Sequence, residues 1–401
     1  MSKGSLDVDL RLLILSMSLR RIVFGCLQVI RSLYLYIIGY DLVAIGLLSM
    51  VAATVGAVRS VFVGLLSDKY GRKKFILLGG ILSTFRLLIF AFFTDYVMLI
   101  IAQIMGGMGE GAGAGQPSVS GLIADKTSKE SRVKVFTIIA LISSLMDILG
   151  YLFGSLPKHI QPLLLIGEAE SFRLIFLICA FLSFFSFIFI LPIREEKPEI
   201  SKEAERSFLP RKSVAIISRY SFVRAIGGFG FGITGDLIGP WFKIRFLMGE
   251  EVLGPIFAIS RFTSMILYFL LIFRVKGEID EVRMIFFNRI ISAAAILLIP
   301  FSPSHIVFSL LFIIYRASLM ITAPIRQSFI VSIVDPSERA SAVGFSNFAW
   351  MSLRSISPAI GGYIMQNISM PLAFIIGAVM IGLNGASYHI MLGGKRIERS
   401  W

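Results

Sequence analysis

The chain has 401 residues, of which 56% are hydrophobic and only 16% charged, with a mean hydropathy of +0.83 and a formal net charge of +14. A soluble protein carries about 25% charged residues, so a water-soluble fold is excluded. The positive balance does not point to nucleic acid, because no basic soluble domain exists to carry such a partner.

In chain order, the start from Met1 to Arg11 is polar and lacks the apolar region and small-residue cleavage site of a signal peptide, so the first helix is expected to stay. Apolar runs between charged or Pro/Gly breaks place crossings at 18–38, 42–65, 75–94, 96–122, 134–156 and 172–193. A second set follows at 216–241, 252–273, 284–301, 304–333, 340–365 and 371–392. These runs are unbroken and show none of the alternation of an outer-membrane barrel, so the backbone must satisfy its polar groups within helices. The expected fold is an all-α membrane protein with twelve transmembrane helices. Cys26 and Cys179 each lie inside an apolar run, and His159, His305 and His389 make no metal spacing. Neither a metal nor a cofactor is expected.

Short loops with Lys and Arg set orientation. Lys69, Arg72, Lys73 and Lys74 occupy one loop, Lys126, Lys129, Arg132 and Lys134 another, and Arg274, Lys276 and Arg283 a third. The alternate loops hold little beyond Lys158, Arg173, Lys243 and Arg245. Both termini are therefore expected in the cytoplasm. The charged stretch between the sixth and seventh crossings reads as a cytoplasmic linker, 194–213, joining six-helix bundles at 1–193 and 214–401. The halves echo each other: Phe24-Gly25 and Ile45-Gly46 recur as Phe231-Gly232 and Leu253-Gly254. Ala124-Asp125 with Glu130 and Arg132 likewise recurs as Val334-Asp335 with Glu338 and Arg339. Parallel pseudo-symmetric bundles with a site near the bilayer midplane are a transporter architecture.

The loop after the second crossing reads Gly64-Leu65-Leu66-Ser67-Asp68-Lys69-Tyr70-Gly71-Arg72-Lys73-Lys74. It resembles the signature loop of the major facilitator superfamily, with Ser67 where alanine is usual. Physically, Gly71 permits a tight turn, Asp68 offers a carboxylate to a helix N-terminus, and the cations anchor at the interface. The resemblance implies that Asp68 caps the eleventh helix and that Arg72 pairs with Asp125. Gly106 to Pro117, rich in glycine and carrying Glu110, resembles the family's fourth-helix motif, except that Gln103 stands where an arginine is expected. Small residues there let helices pack closely, and no Gly-Lys-Ser/Thr follows, so nucleotide binding is excluded. The fifth-helix antiporter motif is weakened to Gly150-Tyr151-Leu152-Phe153-Gly154-Ser155, whereas Ser357-Pro358-Ala359-Ile360-Gly361-Gly362 keeps more of it.

An ionisable group at mid-helix depth costs about 3 kcal/mol on insertion scales unless paired or hydrated. Glu110 and Asp147 are therefore candidates for proton coupling, the alternative being a carboxyl held permanently by an arginine. Gln28, Arg31, Gln103, Arg261, Arg316, Trp350 and Arg354 are the candidates for a substrate cavity. Arg86, on the peripheral third crossing, reads as a structural partner. Surplus guanidinium suits a carboxylate or phosphate substrate. The rival is an apolar pocket of Phe24, Tyr34, Phe231, Trp241 and Trp350 for amphipathic drugs. The seventh crossing, glycine-rich before Pro240, is expected to bend.

The expected function is secondary active transport of a small organic solute by alternating access, coupled to protons, by a monomer in the cell membrane. An intramembrane lipid-modifying enzyme would need a cluster of His, Ser and carboxylate that is not seen. A non-transporting sensor or scaffold is the other alternative.

Overall fold

Hydrophobic runs of this length can bury their backbone polar groups only by closing each N–H on the carbonyl four residues back. A computed structural model describes residues 8–109, 119, 122–123, 129–194, 212–274, 280–335 and 338–392, and among them it contains helices and no strand. The first half holds α1 (Val8–Ile37), α2 (Leu42–Tyr70), α3 (Arg72–Phe92), α4 (Tyr96–Gly109), α5 (Lys129–Phe153), α6 (Pro157–Leu164) and α7 (Glu168–Ile188). The second holds α8 (Val214–Gly235), α9 (Ile238–Phe246), α10 (Glu250–Arg274), α11 (Glu281–Leu298), α12 (His305–Ile321), α13 (Ala323–Ile333), α14 (Arg339–Asn367) and α15 (Met370–Leu392).

Nine described helical segments are long and apolar enough to cross a bilayer. The helices α8 and α14 are not among them, because glycine, serine and arginine lower their hydropathy. Small residues are what lets these two helices pack backbone to backbone.

Three departures from the expected boundaries have physical causes. The first helix starts at Val8, not near position 18, because Leu10, Leu13 and Met17 are buried against Ile76, Ile139 and Ile190. Apolar packing thus carries the helix through a stretch that hydropathy reads as polar. The seventh crossing divides at Asp236 and Leu237 into α8 and α9, as its glycine content predicts. The tenth divides at Thr322, where Pro324 lies in the first turn of α13 and cannot donate to the preceding turn.

The chain divides into two compact units. Unit 1 comprises Met1–Tyr40, Val51–Ala204 and Met248–Ala258; unit 2 comprises Asp41–Met50, Glu205–Leu247 and Ile259–Trp401. In unit 1, α1 packs against α5 and α7, and α3 against α4 and α7. In unit 2, α8 packs against α14 and α15, and α11 against α12 and α15. Most of the expected linker lies outside the described residues.

Unit 2 is fastened at one end by Glu338. Its two carboxylate oxygens accept from the backbone N–H groups of Lys212 (2.8 Å) and Ser213 (2.7 Å), at the start of α8. Lys212 Nζ also reaches Asp335 at 3.2 Å. A carboxylate on the free N–H groups of a helix start is favoured by both hydrogen bonding and the helix dipole. Replacing Glu338 with glutamine substitutes a donor for one acceptor. It is expected to destabilise the unit by about 1–3 kcal/mol, seen as a lower midpoint of thermal unfolding of the purified protein. An unchanged midpoint would show that this clasp is idle.

Candidate functional site

In unit 1, α1 presents Arg21, Phe24, Gln28 and Arg31 at helical spacing, and α5 presents Asp147 and Tyr151 one turn apart. The helices meet through glycines: a Cβ on Gly25 would lie 2.7 Å from the Asp147 carbonyl oxygen. That approach sets Arg21 Nη1 3.6 Å from Asp147 Oδ1, with the Asp147 side chain 5% exposed and that of Arg21 23%. The guanidinium of Arg21 also lies over Phe24, 5.6 Å from the ring centroid. Below it, the Tyr151 hydroxyl donates to Gln28 Oε1 at 3.1 Å. Arg31 is partly buried on the same helix face.

Gln103 is fully buried at the α3–α4 contact, where its Oε1 accepts from Arg86 Nη2 at 3.4 Å. Arg86 is itself fully buried, its guanidinium over Phe90 and against Gly106, where a Cβ would lie 2.6 Å from it. A cation thus occupies the surroundings of position 103 after all, supplied by α3 instead of α4. Tyr34 is fully buried, ringed by Phe90, Phe172 and Phe176. Trp241 of unit 2 is packed against Phe308 and Phe374. Both aromatics belong to helix cores.

In unit 2, α8 and α14 build a ladder of alternating cations and rings. Arg354 lies over Phe231 at 5.5 Å and over Trp350 at 5.3 Å. Arg224 lies over Trp350 at 5.6 Å and donates to Asn347 Oδ1 at 3.1 Å. The approach is again made by glycine: the Trp350 carbonyl occupies the place a Cβ on Gly228 would take. Guanidinium groups over aromatic faces are held flat and weakly hydrated, ready to accept a planar anion. Elsewhere in the unit, Arg316 lies over Phe312 at 5.7 Å. Arg261 stands on α10 within electrostatic reach of Tyr268, whose hydroxyl donates to the Met320 carbonyl.

The signature loop turns as its glycine predicts, with Gly71 at φ 97° immediately before α3. Lys73 Nζ donates to the Leu191 carbonyl at 2.6 Å, just beyond the end of α7. Gly64 lies in the last part of α2, and Arg72 opens α3. Glu110 and Asp125 lie outside the described residues, as does the side chain of Asp68.

Among the cations not singled out from the sequence are Arg20, Arg21, Arg224 and Arg289. Arg20 is structural: its Nε donates to Ser186 Oγ at 3.0 Å and its Nη2 to the Ile76 carbonyl at 3.1 Å. Arg21 carries a detectable signal, since it shares the stripe that contains Gln28 and Arg31.

Comparison with known proteins agrees with this architecture. The sequence model of the Major Facilitator Superfamily matches residues 13–358. The quinolone resistance protein NorA of Staphylococcus aureus is 23% identical over 375 residues, covering 90% of each chain. The membrane protein YJR124C of Saccharomyces cerevisiae is 22% identical over 414 residues, covering 93% of this chain and 91% of its own. The crystal structure of the nucleoside transporter NupG superposes with a TM-score of 0.73 at 17% identity, over 97% of this chain and all of that one.

Proposed function

This chain belongs to the Major Facilitator Superfamily and is a membrane transporter, not an enzyme, and we propose that within that family it moves a small organic anion with an aromatic body, coupled to protons. The observation that carries the reading is the ladder of Phe231, Arg354, Trp350 and Arg224. Two guanidinium groups supply charge, and two ring faces supply apolar area for the rest of the solute. An amphipathic aromatic carboxylate satisfies both, so the drug and organic-anion alternatives merge into one substrate class. Similarity to a quinolone resistance protein favours efflux as the direction. Asp147, facing Arg21 in a nearly dry interface, is the carboxylate proposed to take up and release the proton. Transport would follow alternating access by a monomer with twelve crossings, the bundles at 1–193 and 214–401, and both termini in the cytoplasm of a cell whose outer boundary it spans. Lipid would be its only standing partner.

Counterflow in proteoliposomes tests this directly. A quinolone carboxylate or benzoate loaded inside is expected to drive accumulation of the labelled compound from outside, and Arg354→Gln is expected to slow exchange about tenfold, the value of one charge-assisted contact. Exchange of an uncharged aromatic at the same rate as the carboxylate, or full activity in Arg354→Gln, would overturn the anion assignment.

A further inference from the structure

Three helices of unit 2 bring a second group of cations together, one turn or more inside the bundle. Arg224 comes from α8, Arg289 from α11 and Arg326 from α13. At 1.5 Å per residue they lie about 10–15 Å in from the helix ends that carry Val214, Glu281 and Ile333. Each of the three is within electrostatic reach of the other two. None of them forms an ion pair with a described carboxylate. Arg224 is already engaged by Trp350 and Asn347, and near Arg289 and Arg326 stand hydroxyls: Tyr220 and Tyr388 from α8 and α15, Tyr315 from α12 and Tyr268 from α10. Arg289 is 7% exposed and packs its Cβ where a side chain on Gly385 would stand.

The hydrogen bonds that exist leave donors over. Arg326 donates to Thr322 Oγ1, and its own carbonyl accepts from the Tyr220 hydroxyl at 2.8 Å. Arg289 Nε, Arg326 Nε and the Tyr315 hydroxyl are buried with no hydrogen-bond partner among the described residues. Asn384 spends its amide N–H on the Val223 carbonyl at 2.6 Å and keeps a buried, unpartnered Oδ1 one turn from Tyr388.

Three guanidinium groups held together at membrane depth repel one another, and buried donors left without acceptors are costly. A carboxylate would neutralise one of the three. A phosphomonoester dianion or hydrogenphosphate neutralises two and has oxygens enough for several donors, and hydrogenphosphate keeps one P–OH to donate to Asn384 Oδ1. We propose that Arg224, Arg289 and Arg326, with Tyr315 and Asn384, form a binding site for a phosphate group inside unit 2. The group comes either from free phosphate and its monoesters or from the phosphomonoester headgroup of a lipid such as phosphatidic acid that enters between the helices. Arg224 also belongs to the ladder, where it meets Trp350 and Asn347, so the test reads phosphate binding through Arg289 and Tyr315, and its failure leaves the transport reading standing.

The test uses the full chain in phosphatidylcholine nanodiscs, with thermal unfolding followed at constant ionic strength. Addition of millimolar inorganic phosphate in place of chloride is expected to raise the midpoint by several degrees if free phosphate is the occupant. Replacement of a third of the phosphatidylcholine, a phosphodiester, by phosphatidic acid, a phosphomonoester, is expected to do so if the headgroup is. Either shift must vanish in Arg289→Gln and shrink in Tyr315→Phe, which removes one hydroxyl and keeps the ring. For the occupant identified, titration of Tyr315→Phe should give a binding constant about tenfold weaker. No shift with either probe, or a shift that survives both substitutions, would overturn the site.

Discussion

Replacing Gly150 with valine is expected to prevent unit 1 from assembling. A Cβ at that position would occupy the space of the Ile22 carbonyl oxygen and lie 3.0 Å from the Cys26 nitrogen and from the Gly25 Cα. Those neighbours are backbone of α1, so no side chain can swing aside, and relief requires moving one whole helix off the other. Alanine alone should cost about 1–3 kcal/mol as overpacking, and valine adds two methyl groups with a single favoured rotamer in a helix. The loss would appear as disappearance of the monodisperse peak of a fluorescent fusion on size exclusion. Gly344→Ala is the control, because nothing lies within 4 Å of its Cβ position. It should be neutral or stabilising by up to about 1 kcal/mol, the difference in helix propensity. If Gly150→Val ran as wild type while Gly344→Ala did not, the α1–α5 contact would be misplaced.

The same contact shows what the sequence could and could not reveal. Hydropathy is a local property, and in a bilayer each crossing must close its own hydrogen bonds, so the positions of the apolar helices were readable one segment at a time. Gly71 was readable too, because a tight turn between two long helices needs φ above zero. Partnership was not. Nothing in the spacing of Arg86 tells that its guanidinium ends against Gly106 and Gln103, so the missing arginine of the fourth crossing looked absent when its charge had only moved to the next helix. Arg224, Arg289 and Arg326 sit on three helices separated by up to about a hundred residues, and only folding makes them a cluster. Tyr34 and Trp241 err the other way: as aromatics in apolar runs they fit a pocket equally well, and packing places them in the core. The short helix α6 escaped notice because Pro157 and Pro162 mark a loop in sequence, although Pro157 sits in the first turn, where proline is well tolerated, and Pro162 falls inside the helix within three residues of its end.

Asp147→Asn is expected to abolish the pH dependence of transport while leaving the protein folded. Asp147 is 3% exposed, and Arg21 stands 3.6 Å from its carboxylate, longer than the 2.7–2.9 Å of a tight charge-assisted hydrogen bond. A pair at that separation in a nearly dry interface is held by charge more than by geometry, so a proton arriving at the carboxylate competes with Arg21 on fair terms. Protonation would leave Arg21 resting on Phe24 with its charge freed for a solute. Asparagine copies the protonated state in shape, which makes it the informative substitution. In proteoliposomes under an imposed pH gradient, net solute movement should fall more than tenfold, while counterflow without a gradient persists. A purely structural pair behaves differently: removal of either partner strands a buried charge or polar group and costs up to about 3–5 kcal/mol, and Arg21→Leu with Asp147→Leu should then restore the unfolding midpoint lost in each single variant. Recovery of stability in the double variant, together with gradient-driven transport intact in Asp147→Asn, would assign the pair to packing and move proton coupling elsewhere in the chain.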